Sequence, residues 1–425
     1  MVVVTRNLGG DVTQRMPKSK KNFSITFLTQ YYPPEIGAPQ RRISDIAERF
    51  AASGHVVTVL TALPNYPTGR VFPSYGGLVR TEHLNGVRVI RTWIYPTQKA
   101  DYVRRLTSYF SFVLSSLVVG AATLSRSDFL FVESPPLFLG LAGVLLSRIK
   151  RARLIFNVSD LWPESAVRLE ILRRGSLVHR LAEGLEQLLY RHAWVVSGQS
   201  KTILEDIGAR SRATRVYHLS NGVDTARFAP CPEDPALRSV LAPAGSCIAM
   251  YAGLHGLAQG LEQILDAAER LGSESGIRFV LIGDGPERLH LQELATAAEL
   301  RNLIFLGPLP SSEVPGYLAS ADVLLVPLKA FIPGAVPSKL YESMATGKPV
   351  ILIAGGEAAE IVLESRAGIV VNPGDIDSLV TALRTLRDDP PLRRLLGVNG
   401  NAKAIAQFDR GKIVQAFDDF LSKSL

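Results

Sequence analysis

The segment at 333–350 combines residue types that bind a phosphorylated ligand. If a helix begins at Ser338 and the serine caps it, free backbone N–H groups and the positive helix end face an anion. Lys339 would add a cation for a diphosphate, and Glu342, on the same helix face, would accept hydrogen bonds from ribose hydroxyls. A surface helix with a solvated Lys–Glu pair has the same spacing, so both interpretations stay open.

A second candidate phosphate loop contains three glycines at 253–260, between an apolar run and a predicted helix. Such a loop lets backbone donors approach a diphosphate. It is neither a GxGxxG motif nor a Walker loop, and the Gly-Lys pair at 347–348 precedes proline rather than Ser or Thr, which disfavours an ATPase. The turn that begins at Gly283 is a weak signal by itself.

In the first half, the loop at 31–39 contains Glu35 and Gly37, and Arg41 follows in a predicted helix. A small residue at a helix start lets backbone N–H groups approach a phosphate, although a tight strand-to-helix turn has the same pattern.

Asp160, Trp162 and Glu164 directly follow a predicted strand at 154–157. Ligands of open parallel sheets bind outside the carboxyl ends of the strands. Carboxylates accept hydrogen bonds from sugar hydroxyls and an indole stacks on the C–H face of a sugar, so Asp160 is the leading acceptor-site candidate. Its position ahead of Pro163 is also typical of a helix cap, and the two roles can coexist.

Metal and thiol chemistry receive little support. The seven histidines form no HExxH or HxxxH pair, and the Asp-x-Asp at 375–377 is interpreted as a helix cap. Cys231 and Cys247 provide no disulfide framework, which fits a reducing compartment. We expect no essential metal and no other cofactor.

The apolar pattern predicts the scaffold that must position these loops. Short apolar runs alternate with helix-length segments, which indicates an α/β fold with two doubly wound parallel sheets. The predicted strands are 24–28, 56–60, 87–90, 129–132, 154–157 and 194–196, then 248–252, 279–282, 304–306, 323–326 and 350–353. The predicted parts are a loose basic arm (1–22), a first domain (23–218), a hinge (219–230), a second domain (231–405) and a C-terminal helix (406–425) that closes the second domain or crosses back to the first.

The composition is that of a folded protein with anionic partners. The 425 residues are 47% hydrophobic and 20% charged, with a net charge of +8. No basic helix with interleaved aromatics is present, which disfavours nucleic acid. The apolar stretches at 109–123 and 137–146 fall short of the roughly 20 residues of a spanning helix, so each is predicted to be buried or to touch a membrane surface.

Five motifs, PPEIG, DLWPES, SNGVD, GLAQGL and PSKLYE, occur in that order. With them, the chain from about residue 24 to 405 resembles the retaining family-4 glycosyltransferases of the GT-B fold, of the colanic-acid and O-antigen polysaccharide type. The resemblance implies two Rossmann-like domains that face each other across a cleft, with a nucleotide-sugar donor on the second domain and an acceptor on the first.

The resemblance also implies roles for individual residues. Glu342 would hold the donor ribose, and attack on the same sugar face as the leaving phosphate would need no protein nucleophile. The implied donor site is Gly253, His255, Gly256, Gly283, Leu309, Lys339 and Glu342, with Asp160 and Glu342 as catalytic residues. The implied acceptor side is Glu35, Gly37, Arg41, Trp162 and Glu164. The expected acceptor is a lipid-linked glycan, with the protein cytoplasmic and in peripheral contact with the inner membrane.

Two departures from the family pattern concern the donor. The first of the family's paired glutamates corresponds to Gly334, and the usual Arg and Lys of the glycine loop correspond to Leu254 and Gln259. We hypothesise that Lys339 and His255 replace the missing cations. A GT-B sugar-nucleotide epimerase and a non-catalytic nucleotide- or polyanion-binding protein remain as alternatives; products formed without acceptor would identify the first, and DNA binding without nucleotide binding the second.

Overall fold

The computed structural model describes residues 21–66, 68–97, 102–168, 172–211, 215–273 and 276–425. Almost all of the predicted arm at 1–22 therefore lies outside the described residues. The described chain forms two sheets, each covered by helices on both faces.

The first domain contains an eight-stranded sheet in the order β3-β4-β2-β1-β5-β6-β7-β8, in which only the β3–β4 pair is antiparallel. Its strands are β1 (Ser24–Leu28), β2 (Val56–Ala62), β3 (Val79–Leu84), β4 (Val87–Thr92), β5 (Phe129–Ser134), β6 (Arg153–Val158), β7 (Val195–Gly198) and β8 (Val216–His218). The edge strands β3 and β8 were not predicted, because they are largely exposed and lack an apolar run.

The helices of the first domain are α1 (Ala38–Ala52), α2 (Tyr102–Thr123), α3 (Leu139–Lys150), α4 (Glu164–Arg168), α5 (Leu177–His192) and α6 (Lys201–Arg210). The apolar stretch at 109–123 is part of a longer helix than the sequence pattern indicated, because α2 begins at Tyr102 and has 22 residues. Within the described residues, Val103–Thr123 is the one helix whose length and composition would suffice to cross a membrane.

The second domain contains a six-stranded parallel sheet in the order β11-β10-β9-β12-β13-β14. Its strands are β9 (Cys247–Ala252), β10 (Ile277–Ile282), β11 (Leu303–Leu306), β12 (Val323–Pro327), β13 (Val350–Ile353) and β14 (Gly368–Val371). Its helices are α7 (Pro235–Leu241), α8 (Glu262–Leu271), α9 (Arg288–Ala297), α10 (Val314–Ala319), α11 (Ser338–Ala345), α12 (Glu357–Ser365), α13 (Ile376–Asp388) and α14 (Pro390–Lys403). Asp375 caps α13, as predicted.

The chain passes between the domains twice, and the two passages touch. Val223 forms a parallel bridge with Asp409, just after a π-helical turn at Ala404–Phe408. The last helix, α15 (Arg410–Ser424), then packs on the first domain, where the Phe417 ring contacts Phe50 and Tyr217. Of the two predicted alternatives, the C-terminal helix therefore crosses back.

A buried His–Asp pair fastens α15 to the first domain. The backbone N–H of Phe23 donates to Nδ1 of His55 over 3.2 Å, so Nε2 carries the proton that His55 donates to Asp418 over 2.9 Å. Both side chains are almost fully buried. A buried carboxylate with this partner is costly to remove because the imidazole N–H would then lack an acceptor.

We predict that Asp418→Ala lowers the free energy of unfolding by about 2 kcal/mol, because it leaves the His55 Nε2–H unsatisfied. Urea unfolding followed by circular dichroism measures the change. Asp419→Ala, at the more exposed next position, is the matched control and should change stability by less than about 0.5 kcal/mol. Equal urea midpoints for the two variants would contradict the role of the pair.

Candidate functional site

Loops at the carboxyl ends of β9 and β10 touch through their backbones. The N–H of Gly253 donates to Ile282, and the N–H of His255 donates to Asp284, each over 2.9 Å. A Cβ at Gly283, where φ is +136°, would lie 1.9 Å from the carbonyl oxygen of Gly253. Only glycine fits there, so backbone groups of both loops reach the same edge of the sheet.

Helix α11 brings Lys339 to this edge. A Cβ at Gly253 would lie 3.3 Å from Cε of Lys339, so the lysine stem packs directly on the glycine loop. Nζ of Lys339 donates to Oε2 of Glu342 over 2.9 Å. The predicted Ser338 cap was wrong: Pro337 occupies the cap position, Ser338 is the first helical residue, and no side chain caps the helix.

Glu342 lies at the junction between the domains, and its side chain is mostly buried. Burial lowers the pKa of Arg410, whereas the carboxylates of Asp45 and Glu342 favour its charged form. Arg410 also donates to the carbonyl oxygens of Asn221 and Gly222, each over 2.9 Å. The helix that carries Lys339 and Glu342 therefore faces the hinge and the first domain rather than bulk water.

His255 cannot supply the cation assigned to it. Its side chain is fully buried, and burial, with the nearby positive charge of Arg288, lowers its pKa to about 4. The ring is therefore neutral near pH 7, and the hypothesis that His255 replaces a missing charge was wrong. The neutral ring is enclosed by the surrounding residues, so His255 offers the proposed donor the backbone of its loop rather than a charge.

Asp160 is a mostly buried carboxylate with two protein donors. Oδ2 accepts a hydrogen bond from the Ser165 hydroxyl over 2.8 Å. Burial raises the pKa of the carboxyl group, whereas the hydrogen bonds from Ser165 and the backbone of Leu161 lower it. The simple cap interpretation does not hold, because α4 begins at Glu164, four residues later. The Trp162 ring lies edge-on to Phe138, with ring centroids 5.8 Å apart.

Two predicted acceptor-side carboxylates have protein partners instead. Both oxygens of Glu164 accept from Arg174, over 2.6 and 2.7 Å. Glu35 is buried and accepts from the backbone N–H groups of Asn65, Tyr66 and Tyr32, over 2.8, 2.8 and 3.2 Å. Glu35 thus holds two loops together, and its assignment to ligand binding is corrected to this structural role.

The remaining predicted residues lie in loops and at a helix start of the two domains. Gly37 precedes the first residue of α1, and a half-buried Arg41 lies in its first turn. A Cβ at Gly256 would lie 2.7 Å from Oε1 of Gln259. Leu309 follows the edge strand β11 and packs partly on the core of the second domain.

A buried ion pair beside the Asp160 loop was missed. Arg42 donates to Glu133 over 2.5 Å, to the Ser159 hydroxyl over 2.7 Å and to the Asn221 side chain over 3.0 Å. Both charged side chains are almost completely buried. The one available signal was a glutamate near the end of the otherwise apolar strand β5.

Polar contacts connect the two halves of the predicted site. The Gln199 side chain donates to the carbonyl of Ser159 and accepts from Asn221 over 2.5 Å. Asn221 in turn contacts Arg410, whose charge interacts with Glu342. The structure thus brings the loop of Asp160 and the helix of Glu342 to the same junction.

Two direct interdomain contacts at α6 were also missed. The carboxylate of Glu357 accepts from the backbone N–H groups of Lys201 and Thr202, over 3.0 and 2.9 Å, at the N-terminus of the helix. Gly334, at the position of the family's first glutamate, has φ +74°, and a Cβ there would lie 2.6 Å from Ile203. No larger side chain fits this contact, so the family's carboxylate cannot stand at Gly334.

The exposed Lys329, which the sequence analysis did not identify, also borders the glycine loop. The N–H of Lys329, after β12, donates to Ala258 over 2.9 Å, and its Cα lies 2.7 Å from where a Cβ at Gly260 would be. In the part of the chain that the structure describes, no three His, Cys, Asp or Glu side chains form a group that could hold a metal ion.

Family models match both domains. The model described as Glycosyl transferase 4-like domain matches residues 37–222, and the model described as Glycosyl transferases group 1 matches residues 237–403. The two matches together take in most of the chain.

Individual proteins agree with this result. WcaI of Escherichia coli (strain K12), a glycosyl transferase assigned to colanic acid biosynthesis, is 29% identical over 83% of this chain and 89% of its own length. The GDP-mannose-dependent alpha-(1-6)-phosphatidylinositol monomannoside mannosyltransferase of Mycolicibacterium smegmatis (strain ATCC 700084 / mc(2)155) is 26% identical over 66% of this chain and 81% of its own length.

A solved structure shares the whole fold. Sucrose-phosphate synthase from Thermosynechococcus elongatus superposes with a TM-score of 0.77 at 20% identity, over 95% of this chain and 99% of that chain. Two α/β domains with facing loops, matched by both family models, agree with the expectation drawn from the sequence motifs. The chain belongs to the family-4 glycosyltransferases of the GT-B fold and is an enzyme of that family.

Proposed function

We propose that this glycosyltransferase moves a sugar from a nucleotide diphosphate sugar to a lipid-linked glycan, with retention of the anomeric configuration, in cell-surface polysaccharide biosynthesis. The observation that carries the proposal is the contact of Lys339 with the Gly253 loop, on the helix that also presents Glu342. Backbone donors, one cation and one carboxylate then converge, as recognition of a diphosphate and a ribose requires.

In this proposal the donor lies against the second domain. Lys339 and Lys329 balance the charge of the diphosphate in place of the cations absent at Leu254 and Gln259, and Glu342 accepts hydrogen bonds from the ribose. The name of the mycobacterial relative includes GDP-mannose, which supports a nucleotide-sugar donor as the substrate class. Experiment must identify the base and the sugar of the donor.

The acceptor then lies against the first domain, near Asp160 and Trp162. The carboxylate of Asp160 accepts a hydrogen bond from the Ser165 hydroxyl, and a sugar hydroxyl is a donor of the same kind. The leaving phosphate takes the proton of the attacking hydroxyl on the same sugar face, so the step needs no protein nucleophile, and the proposal includes no metal or other cofactor.

We propose that the reaction takes place at the cytoplasmic face of the inner membrane, on an acceptor that its lipid anchors there. The printed name of the mycobacterial relative, a phosphatidylinositol monomannoside mannosyltransferase, supports a lipid-anchored acceptor class. The assignment of WcaI to colanic acid biosynthesis supports a polysaccharide as the product. We propose peripheral contact with the membrane and no nucleic-acid partner.

The matching nucleoside diphosphate should stabilise the protein against heat, and Lys339→Ala should weaken its binding about 10- to 100-fold, because a charge-assisted contact to phosphate is lost. UDP, GDP and dTDP are screened by thermal unfolding, and the dissociation constant is then measured by titration calorimetry.

The matched control is Lys423→Ala, an exposed lysine on α15 next to Ser424, which contacts Arg153 at the amino end of β6. It should bind the nucleotide normally, and Lys339→Arg should retain most of the affinity. Normal affinity in Lys339→Ala would refute the assignment of Lys339, and no stabilisation by any of the three nucleotides would refute the donor class.

Restoring the family's glutamate should damage the enzyme. Gly334→Glu places a side chain at positive φ and against Ile203, so we expect a lower urea midpoint and a loss of transfer activity. Gly208→Glu, on the helix that Gly334 approaches, is the control, since a Cβ there meets nothing within 4 Å. A Gly334→Glu enzyme with normal stability and higher activity would show that the missing carboxylate is needed.

A further inference from the structure

Helix α2 is apolar on its outer face as well as on its buried face. The buried face contains Phe112 together with Ser108, Ser116 and Gly120. The opposite face carries Phe110, Leu114 and Val118, which are 46%, 64% and 61% exposed. Amphipathic helices of water-soluble domains bury the apolar stripe and expose the polar one. The solvent-facing stripe of α2 therefore lacks the apolar partner that its composition requires.

The two neighbouring helices extend this apolar stripe into a surface. α2 packs on α3, and α3 packs on α5. α3 exposes Leu145 and Ile149, one turn apart, and α5 exposes Leu177, Leu181 and Leu188 on one face. We name the outer side of these three helices the α2–α3–α5 face.

The charges around the α2–α3–α5 face are mostly positive. From residue 102 to 159, which includes α2 and α3, the chain has seven Lys or Arg residues and two acidic residues, Asp128 and Glu133. α5 adds two arginines and two glutamates, Arg180, Arg191, Glu183 and Glu186. Glu133 is buried against Arg42, and Asp128 accepts hydrogen bonds from Ser24. An apolar surface with a basic rim is complementary to an anionic lipid layer, where the apolar side chains enter the acyl boundary and the cations meet head groups.

Aromatic rings lead from this face to the candidate acceptor loop. The rings of Phe110 and Phe138 lie 4.7 Å apart between centroids, and the Trp162 ring follows at 5.8 Å from Phe138. Trp162 stands two residues after Asp160. The exposed face of α2 is thus continuous with the loop that faces the interdomain junction.

We propose that the α2–α3–α5 face lies flat on an anionic lipid bilayer and that Phe110, Phe138 and Trp162 guide a lipid-linked acceptor from the bilayer to Asp160. The second half of this inference rests on the proposed function. The first half depends only on the exposed apolar residues and the surrounding charges.

α2 lies on the bilayer and does not cross it. Phe112 and Ser116 are fully buried, and a Cβ at Gly120 would lie within about 3 Å of Leu60 and Leu146. A helix that left for the bilayer interior would take these contacts out of the core of the first domain. The length and apolar composition of α2 would suffice to cross a membrane. In its most apolar segment 22% of the residues are buried, as expected for a helix with one face in the core and one face outside.

The test is flotation of the full-length protein with phosphatidylcholine vesicles, with and without phosphatidylglycerol. Wild-type protein should float with the anionic vesicles, and binding should fall as salt rises. The double substitution Leu114→Glu with Val118→Glu should weaken partitioning at least about tenfold, because two apolar side chains no longer enter the lipid.

The matched control is Leu395→Glu with Val398→Glu on α14 of the second domain, where the side chains are 58% and 65% exposed. It should bind vesicles like wild type. Stabilisation of both variants by the matching nucleoside diphosphate shows that they are folded and separates this proposal from the donor assignment. For the guided acceptor, Phe138→Ala should slow transfer to a long-chain lipid-linked acceptor more than transfer to a short-chain soluble analogue.

Three results would overturn the proposal. The first is equal vesicle binding by the α2 variant and wild type. The second is light scattering that shows a dimer in wild type and a monomer in the α2 variant without vesicle binding, because a second copy would then cover the face. The third is wild-type protein that only detergent, and neither salt nor carbonate, removes from anionic vesicles, because α2 would then span the bilayer.

Discussion

The geometry of the proposed donor site depends on one close backbone contact, between Gly253 and Gly283. The oxygen of Gly253 fills the space that a Cβ of Gly283 would need, and this close approach holds the ends of β9 and β10 together as a backbone-lined surface. A Cβ at Gly253 would lie 2.6 Å from the Tyr251 hydroxyl oxygen and 3.3 Å from Cε of Lys339, so a side chain there would crowd both. In the proposed function, these two glycines bring the cation close to the backbone donors that bind a diphosphate.

The first domain meets this surface through polar groups. Burial raises the pKa of Glu133, and the charge of Arg42 with hydrogen bonds from Ser159 and Asn157 opposes that shift. A buried pair of this kind adds little net stability, but removal of one partner leaves a charge without compensation. Because Arg42 also holds Asn221 of the hinge, the pair fixes the hinge relative to the Asp160 loop. The buried charges thus set the geometry of the junction between the proposed donor and acceptor sites.

Most of the fold could be predicted from the sequence, because the central strands are apolar runs buried on both faces. The exposed edge strands β3 and β8 could not, since nothing in their composition separates them from loops. The candidate ligand-binding loops could be identified because glycines and charged residues follow predicted strands there. The roles of single residues in these loops depend on partners that are distant in the sequence. The N–H donors that bind Glu35, at 65–66, lie thirty residues away, and burial by the surrounding fold keeps His255 neutral.

Helix α2 shows that the length of an apolar stretch does not determine the length of the helix that contains it. The apolar run at 109–123 forms only the C-terminal part of the helix. The helix begins at Tyr102 and includes Arg104 and Arg105, so the length of the apolar run underestimates the length of the helix. Composition also does not show that both faces of α2 are apolar. The helix buries Phe112 with serines and a glycine, and Gly120 lets it approach Leu60 and Leu146 closely. The outer stripe of Phe110, Leu114 and Val118 then lacks an apolar partner, which is typical of a surface that meets another molecule or a membrane.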